Sequence, residues 1–210
     1  MEKSFVEKIR AQEWYNKDLP LNLSGYVNDK TNRLIGWSRM RQLRIKSNLC
    51  EIDKRLRKDL NNCNVDYSWK NEEKRSFSRG WINETNVFVN SSIDQSFVYQ
   101  SDEKVIGNVI NGKHGSYSGG GFVYEYRGRL KDLRRNLTTL HQLQWIDGQT
   151  RAVIIEMTLY NPNAQLFTSV ILLAEFLSTG GVETSSRFDP ISFQCLFFFL
   201  KYENDLHFSF

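Results

Sequence analysis

Only 3 prolines, 3 cysteines and 3 histidines occur among 210 residues. With 13 glycines and so little proline, a collagen-like chain and a proline-rich linker are excluded. So few cysteines cannot build a disulfide-dense scaffold, and a chain of this length buries a core without one. His114, His141 and His207 lie far apart, with no ligand spacing to a cysteine or to each other, so no zinc pattern is present. No apolar run reaches the roughly 18 residues of a bilayer span. The longest, Cys195–Leu200, is followed at once by Lys201, Glu203 and Asp205 and reads as a strand or a short buried segment. The charged segment Met1–Arg10 lacks the apolar stretch of a secretory signal. A Gly-x-Ser-x-Gly elbow is missing. Gly119-Gly120-Gly121 leads into a strand pattern rather than Gly-Lys-Ser/Thr and a helix, so it reads as a tight turn and not as a phosphate loop. The net charge of +4 is too mild to argue for nucleic acid.

What is present is ordinary globular composition with an aromatic surplus: 40% hydrophobic, 25% charged and 13% aromatic residues. This fits one domain, or two small ones. Residues 3–15 pattern as a helix carrying Phe5, Val6 and Ile9. Residues 16–36 read as an exposed loop. Residues 37–47 form a basic strand, where Leu43 and Ile45 alternate with Arg44 and Lys46. Ile52, Leu56 and Leu60 make a short amphipathic helix between Cys50 and Cys63. Residues 64–121 suggest short strands joined by long loops. Phe122–Tyr126 is a strand. Leu130, Leu133, Leu137, Leu140 and Leu143 fall on one helical stripe over 129–145. Residues 151–159 alternate, with Val153, Ile155, Met157 and Leu159 on one side and Glu156 and Thr158 on the other. Residues 166–176 are a long, central apolar strand, and the Asn161-Pro162-Asn163 turn makes these two an antiparallel hairpin. Gly180-Gly181 breaks the pattern, and 191–200 is the last strand. The expected class is α+β: an antiparallel sheet with helices packed on one side.

Four Asn-x-Ser/Thr sequons stand at Asn22, Asn83, Asn90 and Asn136. If used, they place the chain on the lumenal or extracellular side and put these residues on the surface. Asn136 lies on the flank of the leucine stripe, where a glycan is crowded. Cys50 and Cys63 are 13 positions apart. One continuous helix between them would hold their Cα atoms about 20 Å apart. A disulfide needs roughly 7 Å. Spacing alone therefore leaves both a closed loop and two free thiols open, and Cys195 reads as a buried free thiol. Glu156 and Glu175 sit in apolar strands. As a pair they could do acid–base work, but pairing with an arginine such as Arg151, or an edge position, is the plainer reading. The residues alone describe a non-enzymatic domain with no cofactor and no metal.

Several blocks then resemble a known family. Arg39-Met-Arg-Gln-Leu-Arg-Ile45 followed by Cys50 and Cys63 is similar to the opening of the polycystin domain, as is Ser116-Tyr-Ser-Gly-Gly-Gly-Phe122. The strongest block runs from Trp145-Ile-Asp-Gly-Gln-Thr-Arg151 through Glu156 to Asn161, then Leu166-Phe167, Leu173-Ala-Glu-Phe176 and Thr179-Gly-Gly181. The blocks occur in the family's order over about 35–200. Gly148 and Pro162 depart from the usual pattern, and the Tyr160–Asn163 stretch leans to the polycystin-1-like branch.

The resemblance implies an extracellular or lumenal insert between the first two transmembrane helices of a six-helix cation channel subunit. It implies homo- or hetero-tetramers with other polycystin subunits, and contacts with the pore and transmembrane helices. It implies a Cys50–Cys63 disulfide closing a loop. Residues 1–34 would lead from a preceding spanning helix, 35–200 would be the polycystin domain, and 201–210 would lead into a following one. Cilium and plasma membrane are the family's locations. The basic residues Arg39, Arg41, Arg44 and Lys46 are expected to touch a neighbouring subunit, setting register against acids across the boundary. The alternative is a ligand-binding ectodomain of a polycystin-1-like subunit that forms no pore itself, with exposed aromatics such as Trp69 and Trp81 meeting an extracellular ligand.

Overall fold

The computed structural model describes residues 8, 25–47, 65–84 and 88–192. Its strands are β1 Arg33–Arg44, β2 Tyr99–Gln100, β3 Ile110–Asn111, β4 Ser116–Tyr117, β5 Gly121–Glu125, β6 Thr150–Asn161, β7 Leu166–Phe176 and β8 Val182–Ser192. Its helices are α1 Ser92–Gln95, α2 Asp102–Val105 and α3 Leu130–Gln142. Six strands form one sheet in the order β2-β5-β1-β6-β7-β8, and β3 and β4 form a separate hairpin. β5 runs antiparallel to β1, with Arg41 opposite Val123 and Gln42 opposite Phe122. It also runs antiparallel to β2.

The expected α+β class with helices packed on one side is not what the chain builds. The described residues are mostly sheet. β1 and β6 have 12 residues each and β7 and β8 have 11, whereas α1 and α2 have 4 residues each and only α3, with 13, exceeds one turn. Of the expected helices only the one on the leucine stripe is built at length among the described residues, while the strands run to 12 residues. Of the helix expected over 3–15 only Lys8 is described, and it is helical; the helix expected between the cysteines lies outside the described residues, as does 193–200 of the expected last strand. No helix among the described residues is long and apolar enough to cross a membrane.

The chain divides into two units. One comprises Met1–Trp37, Met157–Val170 and Arg187–Phe210; the other comprises Ser38–Glu156 and Ile171–Ser186. In the first, the β6–β7 turn is closed by Asn161, whose side-chain oxygen accepts from the N–H groups of Asn163 (3.0 Å) and Ala164 (3.1 Å). Tyr160 and Phe167 pack across that turn with centroids 4.6 Å apart.

In the second, Leu43, Ile110, Tyr117, Ala152, Ile154 and Leu173 form one core cluster. Each buried aliphatic of this kind contributes about 1.5–3 kcal/mol. Residues 150–154 of β6 are all buried, so neither side of the strand faces water there. Ala152 and Ile154 are the fully buried pair, and Glu156 shares their side by the two-residue period. α3 buries the expected stripe through Leu133, Leu137 and Leu140. Asp132 in its first turn and His141 in its last suit the helix dipole.

Candidate functional site

The charges in the second unit lie inside it. Arg39, Arg41 and Leu43 share one face of β1, because alternate residues of a strand do. The neighbouring strand β6 brings Glu156 to that face. Arg39 Nε donates to Glu156 Oε2 at 2.7 Å, and Arg41 Nη2 reaches Oε1 at 3.4 Å. One carboxylate therefore serves two guanidinium groups. Other N–H groups of the two hold backbone carbonyls, while Arg41 Nε is buried with no hydrogen-bond partner among the described residues. Arg39 donates to those of Val105 and Ile106, and Arg41 to those of Asn108, Ser118 and Gly120. The segments 105–108 and 118–120 are thereby fastened over the sheet.

Between these segments the backbones touch. A Cβ on Gly107 would stand 2.0 Å from the Gly119 carbonyl oxygen, so this approach requires glycine. The Arg41 side chain is fully buried, Glu156 is 13% exposed and Arg39 is 26% exposed. Burial pulls the Arg41 guanidinium below its usual range, Glu156 pulls it back up, and Arg39 opposes that.

A second carboxylate locks the β3–β4 hairpin. Glu175 on β7 is buried and accepts from the backbone N–H of Lys113 and of His114, each at 2.9 Å, and from the Tyr117 hydroxyl at 2.8 Å. Burial, then Glu175 beside it, pushes the Tyr117 phenol up. A third, Glu72, accepts from the Ser118 hydroxyl at 2.7 Å and from Tyr99 at 3.3 Å. Burial, then Glu72, likewise raises Tyr99.

On the other face of β1, Arg44 is buried and lies 3.4 Å over the centroid of the Trp81 ring. It donates to Gln149 at 2.7 Å and Asp147 at 3.0 Å. Burial lowers its guanidinium and Asp147 raises it. Trp81 has φ of 64° and packs edge-on against Phe97 (4.8 Å) and Phe122 (5.0 Å). Its indole N–H donates to the Gln144 carbonyl at 3.0 Å. An aromatic residue in the left-handed region is a strained choice that the surrounding packing sustains.

The residues expected to touch a neighbouring subunit thus divide. Arg41 and Arg44 are buried within the chain, so they act through the fold. Arg39 is a quarter exposed, and Lys46 lies at the surface with its ammonium on the Lys70 carbonyl at 3.2 Å. Glu156 does pair with arginine, but with Arg39 and Arg41. Arg151 donates instead to the carbonyls of Val65, Gly148 and Thr150. Trp69 is more than half exposed, while its indole N–H donates to the Ser116 carbonyl at 2.8 Å. Among the sequons, Asn83 and Asn90 are exposed and Asn136 is half-buried beside Tyr124. Asn22, Cys50 and Cys63 lie outside the described residues.

Reading by sequence missed that Ile106, 85% exposed with φ of 52°, stands at the tip of a clamped loop with the exposed Val109. The Val-Ile-Gly107 triplet was the available signal: an apolar pair before a glycine in a polar stretch.

A family model described as the polycystin domain matches residues 1–194. Polycystin-2 of Danio rerio is 32% identical over 191 residues, covering 90% of this chain and 20% of its own length. Polycystin-2-like protein 1 of Homo sapiens is 31% identical over 176 residues, with 84% and 20% covered. Location of vulva defective 1 of Caenorhabditis elegans is 30% identical over 168 residues, with 80% and 5% covered. The chain thus spans a fifth or less of these relatives' lengths.

Proposed function

This chain belongs to the polycystin domain family, and from that premise we propose that it is the extracellular or lumenal domain of a cation-channel subunit, which joins neighbouring polycystin subunits and biases gating. The match across residues 1–194 carries the reading. In this reading 1–34 and 201–210 connect to spanning helices, Cys50 and Cys63 close a loop, and the complex is a homo- or hetero-tetramer.

The geometry supports it with a division of labour. The inner arginines and carboxylates pin the cover segments to the sheet, which makes the outer surface stiff. That surface presents Ile106 and Val109 as apolar contacts and Lys46 and part of Arg39 as charged ones. An apolar tip with flanking charge is the make-up of a specific interface. Repacking between two discrete arrangements of neighbouring domains then shifts the open–closed population.

The test introduces Ile106→Asp together with Lys46→Glu into the full-length subunit. Native-gel sizing and whole-cell recording are the readouts. Reduced tetramer or a shifted activation curve is expected. Unchanged assembly and unchanged currents would refute the contact role. Binding of a soluble ligand by a variant that assembles normally would favour the ectodomain alternative centred on Trp69.

A further inference from the structure

Phe88 leaves 76% of its surface in water, more than any other aromatic residue among those described. It stands two positions before Asn90, which is exposed and opens the sequon Asn90-Ser91-Ser92. Two residues of chain span at most about 7 Å, so the first sugar on Asn90 lies within reach of the Phe88 ring. The attachment point is held in place. Asn90 N–H donates to Asp94 Oδ2 at 3.1 Å. The Ser91 hydroxyl donates to the same oxygen at 2.9 Å and accepts from Asp94 N–H at 3.2 Å, which caps α1. Arg79 pairs with the other Asp94 oxygen. None of these bonds uses the Asn90 carboxamide or the Ser92 hydroxyl, the two groups that sugar transfer must engage, and both residues are exposed. The other described sequons have no such platform. Two positions before Asn83 stands Trp81, but its ring packs on Phe97 and Phe122 and its N–H donates to the Gln144 carbonyl. Two positions before Asn136 stands Arg134.

We propose that the first N-acetylglucosamine on Asn90 lays its C–H face on the Phe88 ring and so becomes part of the fold at the start of α1. The proposal rests on the extracellular or lumenal reading above, since the sugar is added on that side. The face of a phenyl ring carries negative charge density, and the C–H bonds of a sugar ring present a weakly positive, apolar face to it. Both surfaces also leave water when they meet. The sugar thus supplies the cover that no side chain of the described residues gives Phe88, and it braces the segment that leads into the Ser91 cap.

The experiment is hydrogen exchange on the full-length subunit, made in cells that add high-mannose glycans and trimmed enzymatically to one sugar per site. The peptides read cover 92–97, where the amides of Asp94, Gln95 and Ser96 are hydrogen-bonded. Asn90→Gln, which carries no sugar there, should exchange about fivefold faster than the trimmed parent, the size of one aromatic contact. In a Phe88→Ser background the same substitution should change nothing. Asn83→Gln should leave these peptides as they are. Should a variant fail to fold, Ser92→Ala replaces Asn90→Gln and Phe88→Leu replaces Phe88→Ser. Equal exchange with and without the Asn90 sugar overturns the proposal, as does a difference that survives loss of the Phe88 ring or is matched by Asn83→Gln. A bare Asn90 in folded subunit overturns it as well: with Cys50 and Cys63 linked the lumenal reading stands without it, and with both thiols free that reading falls too.

Discussion

Replacing Glu156 by glutamine removes one negative charge from between two guanidinium groups and changes almost nothing in shape. The cost follows from burial. Truncating one partner of a fully buried ion pair costs about 3–5 kcal/mol, chiefly because the other charge stays buried and alone. Here Arg41 is wholly buried, but Arg39 is 26% and Glu156 13% exposed, and three carbonyls still accept from Arg41. Water and those carbonyls take part of the load, so the expected loss is about 2–3 kcal/mol. For a chain of this size that lowers Tm by about 5–10 °C. Urea unfolding followed by tryptophan fluorescence and far-ultraviolet circular dichroism measures it, with an unchanged m-value as the check on two-state behaviour. Arg39→Gln, at the wetter end of the layer, should cost about 1 kcal/mol or less. Arg41→Met combined with Glu156→Gln should fall short of additivity by about 1 kcal/mol or more, since the pair shares one interaction. A loss below about 0.5 kcal/mol for Glu156→Gln, or strict additivity, would refute the claim that this carboxylate anchors the cover.

Gly112→Ala places a Cβ 2.3 Å from Glu175 Oε1 and must displace that carboxylate from the hairpin amides. About 2 kcal/mol should be lost in the same urea assay, with Gly148→Ala, where nothing lies within 4 Å, near neutral. Asp94, held below the usual carboxylate range by Arg79, and Glu73, similarly lowered by Arg75 against its burial, bind protons less readily folded than unfolded. Their stabilisation is complete above the ordinary carboxylate range near pH 4–5 and is lost as pH falls through and below it. Stability should therefore fall steeply below about pH 4, and Asp94→Asn should blunt that slope in an acid titration by circular dichroism. Trp81→Leu removes the ring under Arg44 and should cost about 2–4 kcal/mol, read by the same urea unfolding.

The long elements were legible where one physical signal dominated. β7 was read with its observed bounds because an apolar run stands between Asn161-Pro162-Asn163 and Gly180-Gly181. α3 was read from its leucine stripe. β8 was missed over 182–190 because its side chains alternate between exposed and half-buried, with Glu183, Arg187 and Pro190 along it. An edge strand carries such residues and shows little apolar pattern. Gly180 and Gly181 break the strand as expected: β7 ends at Phe176, and they close a turn in which Leu177 N–H donates to the Gly181 carbonyl at 2.9 Å.

The charged layer was illegible for a different reason. Arginine alternating with leucine is the pattern of a half-solvated strand, and nothing local says that a cover will close over the charged side. The partner that neutralises Arg41 lies 115 residues away, and only the strand order brings it near. The α+β expectation failed because two of its three helices, over 3–15 and between the cysteines, fall almost wholly outside the described residues, which build long strands and only one helix longer than four residues.

Non-reducing peptide mapping of the chain after passage through a secretory pathway, with and without glycan removal, tests the central claim most directly. The account predicts a linked Cys50–Cys63 peptide and glycans on the exposed Asn83 and Asn90, with Asn136 bare beside Tyr124. Folded protein with free thiols at both cysteines and unmodified Asn83 and Asn90 would contradict an extracellular or lumenal place for this domain.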